Sequence, residues 1–295
     1  MIIEFLKSIL FGIVEGITEW LPVSSTGHLI LLDEFLSLNV ASELGATFAE
    51  EYWNMFEVVI QLGAILAVVV MFFGKLNPFS KKKNKDEKKG TWVLWAKVCV
   101  GSVPAAIIGI VLDKIIEKTS GKDIDGWLYN WQVVSVALIV YGVLFIIIEH
   151  VYKSKESSVV SVDDISFSKA AVIGCFQALA IIPGTSRSGS TILGSRLIGI
   201  SRSAAAEFSF FMGIPAMAGA SLIKAFGFLD YVTEANISVP FSAYAILFCA
   251  AAVAFIVSMV AIKFLMDFVK KHSFAPFGVY RIILGVLVIG WFLIR

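Results

Sequence analysis

Long uninterrupted apolar segments constrain this chain more than any other feature. Six of them reach or approach the roughly 20 residues that an α-helix needs to cross about 30 Å of hydrocarbon. They cover residues 53–73, 92–112, 131–150, 204–226, 241–264 and 276–294. Because these segments are continuous and do not alternate between apolar and polar residues, they favour helices over the strands of a membrane β-barrel. The sequence therefore predicts an all-α, polytopic membrane protein with about six transmembrane helices.

The composition supports a bilayer as the main surroundings of the chain. Only 16% of its residues are charged and its mean hydropathy is +0.86, whereas about 25% of the residues of a soluble domain are charged. A net charge of +1 gives no reason to expect nucleic acid as a partner. The three cysteines are far apart in apolar sequence, which predicts small buried side chains and neither a disulfide framework nor a zinc site.

Two further apolar stretches, residues 2–38 and 168–200, are interrupted by polar residues. The breaks fall at Pro22 and at the Pro183-Gly184 pair. Each half of such a stretch is too short to cross the hydrocarbon, so we expect a helix, a turn and a second helix that enter and leave on one side. The sequence therefore predicts two re-entrant helical hairpins in addition to the six spans.

A lysine-rich segment sets the predicted orientation. Residues 75–89 contain seven lysines, which places this loop in the cytoplasm by the positive-inside rule. If the spans alternate outward from it, the first hairpin enters from the outer face and the second from the cytoplasmic face. A site built on the first hairpin would then be reached from outside.

The two hairpins share a weak internal similarity. Four residues of the first recur at a constant offset of 162, where Gly12, Glu15, Ser24 and Gly27 fall on Gly174, Gln177, Ser186 and Gly189. Opposite insertion of two similar units defines an inverted-topology repeat, which places a site near the membrane midplane. We therefore expect a single membrane domain, residues 1–295, whose repeat units cover approximately residues 1–112 and 168–268.

Glu15 and Glu19 are the first candidate functional residues. Their i, i+4 spacing puts both carboxylates on one face of a helix, where like charges repel unless a cation lies between them. Carboxylate oxygens suit Mg²⁺ or Ca²⁺, and Mg²⁺ is commonly held by one or two carboxylates together with substrate phosphate oxygens. The alternative is that they pair with lysines or face water at the membrane surface.

A run of hydroxyl residues and a histidine follows Pro22. Ser24, Ser25 and Thr26 resemble the N-terminal cap of a helix, and the free backbone N–H groups there favour an anion. Capping needs one hydroxyl, so the others and His28 are available for chemistry. His28 is a candidate general acid or base, nucleophile or proton donor.

The segment from Pro183 to Thr191 is the most specific motif in the chain. Arg187 offers a planar fork that matches phosphate, and the surrounding hydroxyls can donate hydrogen bonds. The candidate phosphate ligands here are Ser186, Arg187, Ser188 and Thr191. The spacing fits neither a Walker loop nor a dinucleotide fingerprint. The alternative is a surface loop with a solvated arginine. Another arginine, Arg281, is expected to lie at the cytoplasmic interface with its head in water.

At these residues the chain resembles the undecaprenyl-diphosphate phosphatase family of the bacitracin-resistance type. The matching motifs are Glu15-Gly-Ile-Thr-Glu19, Leu21-Pro-Val-Ser-Ser-Thr-Gly-His28 and Pro183-Gly-Thr-Ser-Arg-Ser188. The resemblance implies a bacterial cell-membrane enzyme that removes the terminal phosphate of a polyprenyl diphosphate lipid, needs a divalent cation and tends to form a homodimer. It places functional residues at Glu15, Glu19, Ser25, Thr26, His28, Ser186, Arg187 and Thr191.

The residues and the resemblance together lead to one mechanistic hypothesis. A cation on Glu15 and Glu19 bridges the diphosphate, and Arg187 with the hydroxyls of both motifs, among them Ser24 and Thr26, binds its oxygens. Ser25, His28 or a water attacks phosphorus, and the residues leave this choice open. The runner-up is a secondary transporter or lipid flippase, because broken helices in inverted repeats are typical of transporters.

Overall fold

The computed structural model describes residues 2–41, 44–120, 128, 130–152 and 157–294. Apart from one isolated pairing between Val159 and Ile200, these residues form no β-structure. The helices are α1 Ile2–Thr18, α2 Ser25–Leu36, α3 Ala46–Val59, α4 Gln61–Met71, α5 Phe73–Leu76, α6 Lys85–Ser120, α7 Trp131–Val151, α8 Phe167–Ala178, α9 Arg187–Leu197, α10 Arg202–Glu234, α11 Phe241–Lys271 and α12 Ala275–Ile294. The all-α prediction is confirmed.

The six predicted spans are also confirmed. Six helices in the described residues are long and apolar enough to cross a membrane; one of them is α3 continued into α4, and the others are α6, α7, α10, α11 and α12. Several are longer than their apolar segments, because lysine and glutamate have good helix propensity and extend a helix past the hydrocarbon. For example, α6 begins at Lys85, within the lysine-rich segment.

Each interrupted stretch consists of two short helices joined by a turn, and the second helix starts in the same way in both. Ser24 caps α2 and Ser186 caps α9, with φ angles of 77° and 71°. The two hydroxyl oxygens accept hydrogen bonds from the backbone N–H groups of Gly27 and Gly189, at 3.2 and 3.1 Å. The offset of 162 thus relates residues of matching geometry. Re-entry of the hairpins into the membrane and their opposite insertion stay predictions.

The first helix of each hairpin packs against a long helix from the other half of the chain. α1 lies on α11, where a Cβ added to Gly16 would be 2.8 Å from the carbonyl oxygen of Ala254. α8 lies on α6, where Gly174 meets the backbone of Gly101. Glycine at these contacts lets the helix backbones approach closely. This exchange brings the two polar loops together in the interior.

α12 completes the surroundings of the loops by packing along α7. Gly142 and Gly278 face each other at their crossing, and a Cβ on either would lie 2.7 or 2.6 Å from the other's carbonyl oxygen. Close packing here holds α12 against α7, and Arg281 in the middle of α12 bonds to the backbone of both loops.

The cysteine prediction is wrong in its burial. Cys99 and Cys175 are exposed on the surface of the bundle and Cys249 is half-buried. In a membrane protein an apolar residue can face the lipid as favourably as the protein core. Apolar neighbours in the sequence therefore do not predict which side of a spanning helix a residue occupies.

Candidate active site

A buried ion pair connects the two polar loops. One terminal nitrogen of Arg187 lies 2.8 Å from Oε1 of Glu19, and their side chains are only 12% and 7% exposed. Glu19 directly follows α1 and Arg187 opens α9. The pair therefore joins the two hairpins, which the sequence suggested only through their weak similarity. The alternatives of lysine partners or solvent for Glu19, and of a solvated Arg187, are wrong.

Ser25 bonds to the other oxygen of the Glu19 carboxylate. Its Oγ donates a hydrogen bond of 2.5 Å to Oε2 of Glu19, and Ser25 is buried in the first turn of α2. A hydroxyl that donates to a carboxylate is the arrangement of an activated nucleophile with its base. The helix N-terminus at Ser25 also favours the negative charge of a phosphate. Glu19, Ser25 and Arg187 thus form a continuous network.

Arg187 is held on several sides. A second terminal nitrogen donates to the backbone oxygen of Ser209 at 2.7 Å, and the guanidinium carbon lies 5.7 Å from the ring centroid of Trp20. Gly213 of α10 allows this position, since a Cβ there would lie 2.8 Å from the guanidinium carbon and both terminal nitrogens. The fork is therefore fixed in place, as recognition of an anion requires.

The remaining hydroxyls of the second motif mostly stabilise the loop itself. Ser188 donates to the backbone oxygen of Glu19 at 3.1 Å. Thr191 bonds to the backbone oxygen of Arg187 at 3.0 Å and shares a hydrogen bond of 2.7 Å with the hydroxyl of Ser209. Ser186 caps α9. Ser209 is a member of this network that the sequence reasoning missed, because a serine in an apolar span carries no motif.

His28 lies in the same region, but both of its ring nitrogens bond to groups other than Ser25. Its Nδ1 is 2.6 Å from the backbone oxygen of Ser24, which can only accept, so Nδ1 carries the proton. Nε2 is then the acceptor for the hydroxyl of Tyr280 at 2.6 Å, and the two rings are parallel within 3°. The group positioned to accept the hydroxyl proton of Ser25 is therefore the carboxylate of Glu19. Thr26 is half-buried, and its side chain forms no hydrogen bond within the described residues.

Arg281 is the main correction to the sequence analysis. It is fully buried, and its guanidinium donates to the backbone oxygens of Pro22 at 3.0 Å, Gly184 at 2.5 Å and Thr185 at 3.0 Å. The expected position at the cytoplasmic interface is wrong. Both helix breaks leave carbonyl groups that need donors in apolar surroundings, and one arginine supplies them. A charged residue inside an apolar segment was the signal that pointed here.

Glu15 carries a buried carboxylate that no hydrogen bond from the described residues stabilises. The residue is fully buried, and neither carboxylate oxygen has a hydrogen-bond partner within the described residues. An ionised carboxylate is costly to bury without a counter-charge, so this environment fits a cation. The described residues contain no group of three or more histidine, cysteine, aspartate or glutamate side chains that could hold a metal ion. A cation would therefore combine Glu15 and Glu19 with oxygens of a ligand.

An apolar groove begins beside His28. It has a volume of about 430 Å³ and lies between α1, α2 and α12, where it is lined by Val14, Leu32, Phe35, Leu287, Val288 and Trp291 among others. Among the described residues of its lining, His28 is the only titratable one. The groove therefore leads from the polar cluster to apolar surface, which suits a ligand with a charged head and a lipid chain.

Comparison with known proteins identifies the family. The family model described as "Bacitracin resistance protein BacA" matches residues 8–287. The chain belongs to the BacA family. It is similar to an undecaprenyl-diphosphatase of Enterococcus faecalis, with 51% identical residues over 97% of both chains. Similar proteins with the same name occur in Lactiplantibacillus plantarum, with 48% identity over 98% of both, and in Lactococcus lactis subsp. lactis, with 48% identity over 99% of this chain and 98% of the relative.

Family membership confirms the resemblance drawn from the motifs. The family match extends over residues 8–287, which is nearly the whole chain. Together with the six apolar helices, it identifies a multi-pass membrane protein. The roles of individual residues are not decided by similarity, and they rest on the geometry described above.

Proposed function

We propose that this BacA-family chain hydrolyses undecaprenyl diphosphate to undecaprenyl phosphate and inorganic phosphate, which recycles a lipid carrier for cell-wall polymer synthesis. The observation that carries the proposal is the buried cluster of Glu19, Ser25 and Arg187, drawn from both hairpins and lying near an apolar groove. The undecaprenyl-diphosphatase names of its relatives support it. A transporter or flippase is not favoured, because transport does not require a hydroxyl paired with a base.

The substrate binds with its diphosphate between the first turns of α2 and α9. Arg187 and the helix N-termini neutralise the phosphate oxygens, and Ser24, Thr26, Ser186, Ser188 and Thr191 surround them. The first part of the polyprenyl chain lies in the groove that starts at His28. The apolar lining accounts for selection of a lipid diphosphate over a soluble one.

Ser25 is the nucleophile in the proposed first step. Its Oγ attacks the terminal phosphorus while its proton passes to Oε2 of Glu19, which already accepts that hydrogen bond. The Oγ–P bond forms, the anhydride P–O bond breaks and undecaprenyl phosphate leaves. Arg187 keeps Glu19 in position and stabilises the charge that develops on the transferred group.

Water completes the reaction in the second step. The water oxygen bonds to the phosphorus of the phosphoserine as the P–Oγ bond breaks. A proton of the water passes through the hydroxyl of Tyr280 to Nε2 of His28, and Glu19 returns its proton to Oγ of Ser25. His28 then releases its extra proton to bulk water, which restores the starting state of the site. Inorganic phosphate is released. Labelled phosphate trapped on the protein will resist acid if Ser25 is the acceptor, whereas acid-labile label would identify His28 instead.

The proposal includes a divalent cation, Mg²⁺ or Ca²⁺, held by Glu15 and Glu19. The support is the buried carboxylate of Glu15, whose oxygens have no hydrogen-bond partner in the described part of the chain. When bound, such a cation neutralises part of the diphosphate charge.

We place the protein in the bacterial cell membrane, with its site open to the outer face. Its two repeat units are inverted relative to each other, and two copies form a homodimer. The lysine-rich loop supports this orientation. Ser37 lies exposed at the end of α2, on the proposed outer side. A Ser37→Cys variant without native cysteines will be labelled in whole cells by a membrane-impermeant reagent. Labelling only from the cytoplasmic side contradicts the orientation, and a monomer by light scattering contradicts the assembly.

Phosphate release from undecaprenyl diphosphate by purified protein tests the function itself. We expect steady release that stops when a chelator is added and resumes with Mg²⁺ or Ca²⁺. Ser25→Ala removes release, while Ser168→Ala keeps it, because Ser168 is an exposed hydroxyl in the first turn of α8. No release by the wild-type protein would favour the transport alternative.

A further inference from the structure

Besides the apolar groove, the protein has a polar cavity that lies away from the candidate active site. It has a volume of about 230 Å³ and is found where the ends of α7, α9 and α11 meet the start of α10. Its polar lining includes Ser157, Arg196, Ser201, Arg202, Ser203 and Lys270. No carboxylate lines it within the described ranges of the chain. The cavity is therefore surrounded by hydrogen-bond donors and positive charge.

The two arginines share a single buried carboxylate. Nε of Arg196 lies 3.2 Å from one oxygen of Glu149, and a terminal nitrogen of Arg202 lies 2.6 Å from the other. The side chains of Arg196 and Glu149 are only 5% and 3% exposed. Among the described residues of this cluster, one carboxylate balances one of the two guanidinium groups, so one positive charge is left over. That charge is shared between the buried Arg196 and Arg202, whose side chain is 28% exposed. An anion in the cavity would balance it.

The other groups around the cavity add donors in fixed positions. Arg196 is oriented by a hydrogen bond of 2.8 Å to the backbone oxygen of Ile200. Ser201 caps α10, whose 33 residues present their positive N-terminal end at the same place. Lys270 lies at the rim and pairs with the exposed Asp267 at 3.0 Å, a contact that water screens.

From this arrangement we infer a phosphate-binding site in the cavity. Donors converge from several directions, which matches the three or four acceptor oxygens of a phosphate better than the two of a carboxylate. The volume holds several waters at about 30 Å³ each, enough for one phosphate group. The ligand is inorganic phosphate or the phosphomonoester headgroup of a lipid, which share this chemistry.

This site is separate from the one that carries the proposed hydrolysis. Arg187 and Arg196 both belong to α9, and a helix rises about 1.5 Å per residue, so their backbones are ~14 Å apart. One phosphate group cannot contact both arginines. The inference therefore does not depend on the proposed function, and it holds or fails by binding alone.

Binding to the full-length protein in phosphatidylcholine nanodiscs tests the inference. One arm measures radiolabelled inorganic phosphate by equilibrium dialysis, and the other measures phosphatidic acid by native mass spectrometry. Both are repeated with Arg187→Gln, which removes phosphate bound at the candidate active site. The test variants are Arg202→Gln and Lys270→Gln, and the control is Lys81→Gln, which removes an equal charge from an exposed position.

We expect Arg202→Gln to weaken binding at least about tenfold through loss of a charge-assisted contact. Lys270→Gln weakens it by a smaller factor and Lys81→Gln leaves it unchanged. Binding of free phosphate alone identifies a soluble ligand, and binding of phosphatidic acid alone identifies a lipid headgroup. Absence of both, or equal effects of Arg202→Gln and Lys81→Gln, overturns the inference. If Arg202→Gln does not fold, Lys270→Gln decides, and unchanged binding overturns it.

Discussion

Gly213 offers a test of the site that changes none of the proposed functional groups. It belongs to α10 and lies directly against the guanidinium of Arg187. In a Gly213→Ala variant the new Cβ would be 2.8 Å from the guanidinium carbon and both terminal nitrogens. Non-bonded carbon atoms prefer separations of about 3.5–4.0 Å, so the guanidinium must move by roughly 1 Å.

A shift of that size disrupts the network that holds the fork. Arg187 bonds to Glu19 at 2.8 Å and to the backbone oxygen of Ser209 at 2.7 Å, and both contacts cannot survive the movement. A misplacement of about 1 Å commonly costs about 10²-fold in rate, and loss of a whole charge stabiliser costs about 10²–10³-fold. We therefore expect turnover by Gly213→Ala to fall about 10²-fold.

Gly219→Ala is the matched control on the same helix. No heavy atom lies within 4 Å of a Cβ added at Gly219. Alanine is favoured over glycine inside a helix by about 1 kcal/mol, so the control should keep full turnover and equal or greater thermal stability. Phosphate release from undecaprenyl diphosphate and thermal unfolding in detergent measure both quantities. Wild-type turnover in Gly213→Ala would refute the reasoning about Arg187.

Three other variants address separate parts of the site. Arg281→Met leaves three buried carbonyls without donors, at about 1–3 kcal/mol each, so the unfolding temperature should drop sharply; an unchanged temperature contradicts its role as the tie between the loops. Tyr280→Phe keeps the ring but removes the hydroxyl that donates to Nε2 of His28, so kcat should fall about tenfold or more at constant KM. A change in KM alone argues against proton transfer through Tyr280. Glu15→Gln should abolish the response of turnover to added Mg²⁺ or Ca²⁺, and a retained response excludes Glu15 as a ligand.

The spans and the location of the polar motifs could be predicted from sequence because both depend on local pattern. Twenty consecutive apolar residues form a helix in almost any membrane setting, and the breaks at Pro22 and Pro183 end helices for local steric reasons. The hydroxyl caps at Ser24 and Ser186 are local in the same sense. These features need no knowledge of the tertiary fold.

Contacts between distant residues were beyond such reasoning. The Glu19–Arg187 pair joins side chains far apart in the sequence, and it depends on α1 crossing onto α11 and α8 onto α6. The assignment of Arg281 to the interface failed because the two helix breaks create a local demand for donors that only the folded loops reveal. The sequence located His28 in the cluster, but only the structure shows that Glu19, and not His28, accepts from Ser25.

The central claim is that the polar motifs of both hairpins form one diphosphatase site, and Arg187→Ala tests it most directly. Arg187 comes from the second hairpin and pairs with Glu19 of the first, whose other oxygen accepts from Ser25. Single-turnover phosphate release from undecaprenyl diphosphate should fall about 10²–10³-fold in this variant, with Glu19→Ala equally impaired and the exposed-charge control Lys81→Gln unaffected. Near-native release by Arg187→Ala would contradict the account.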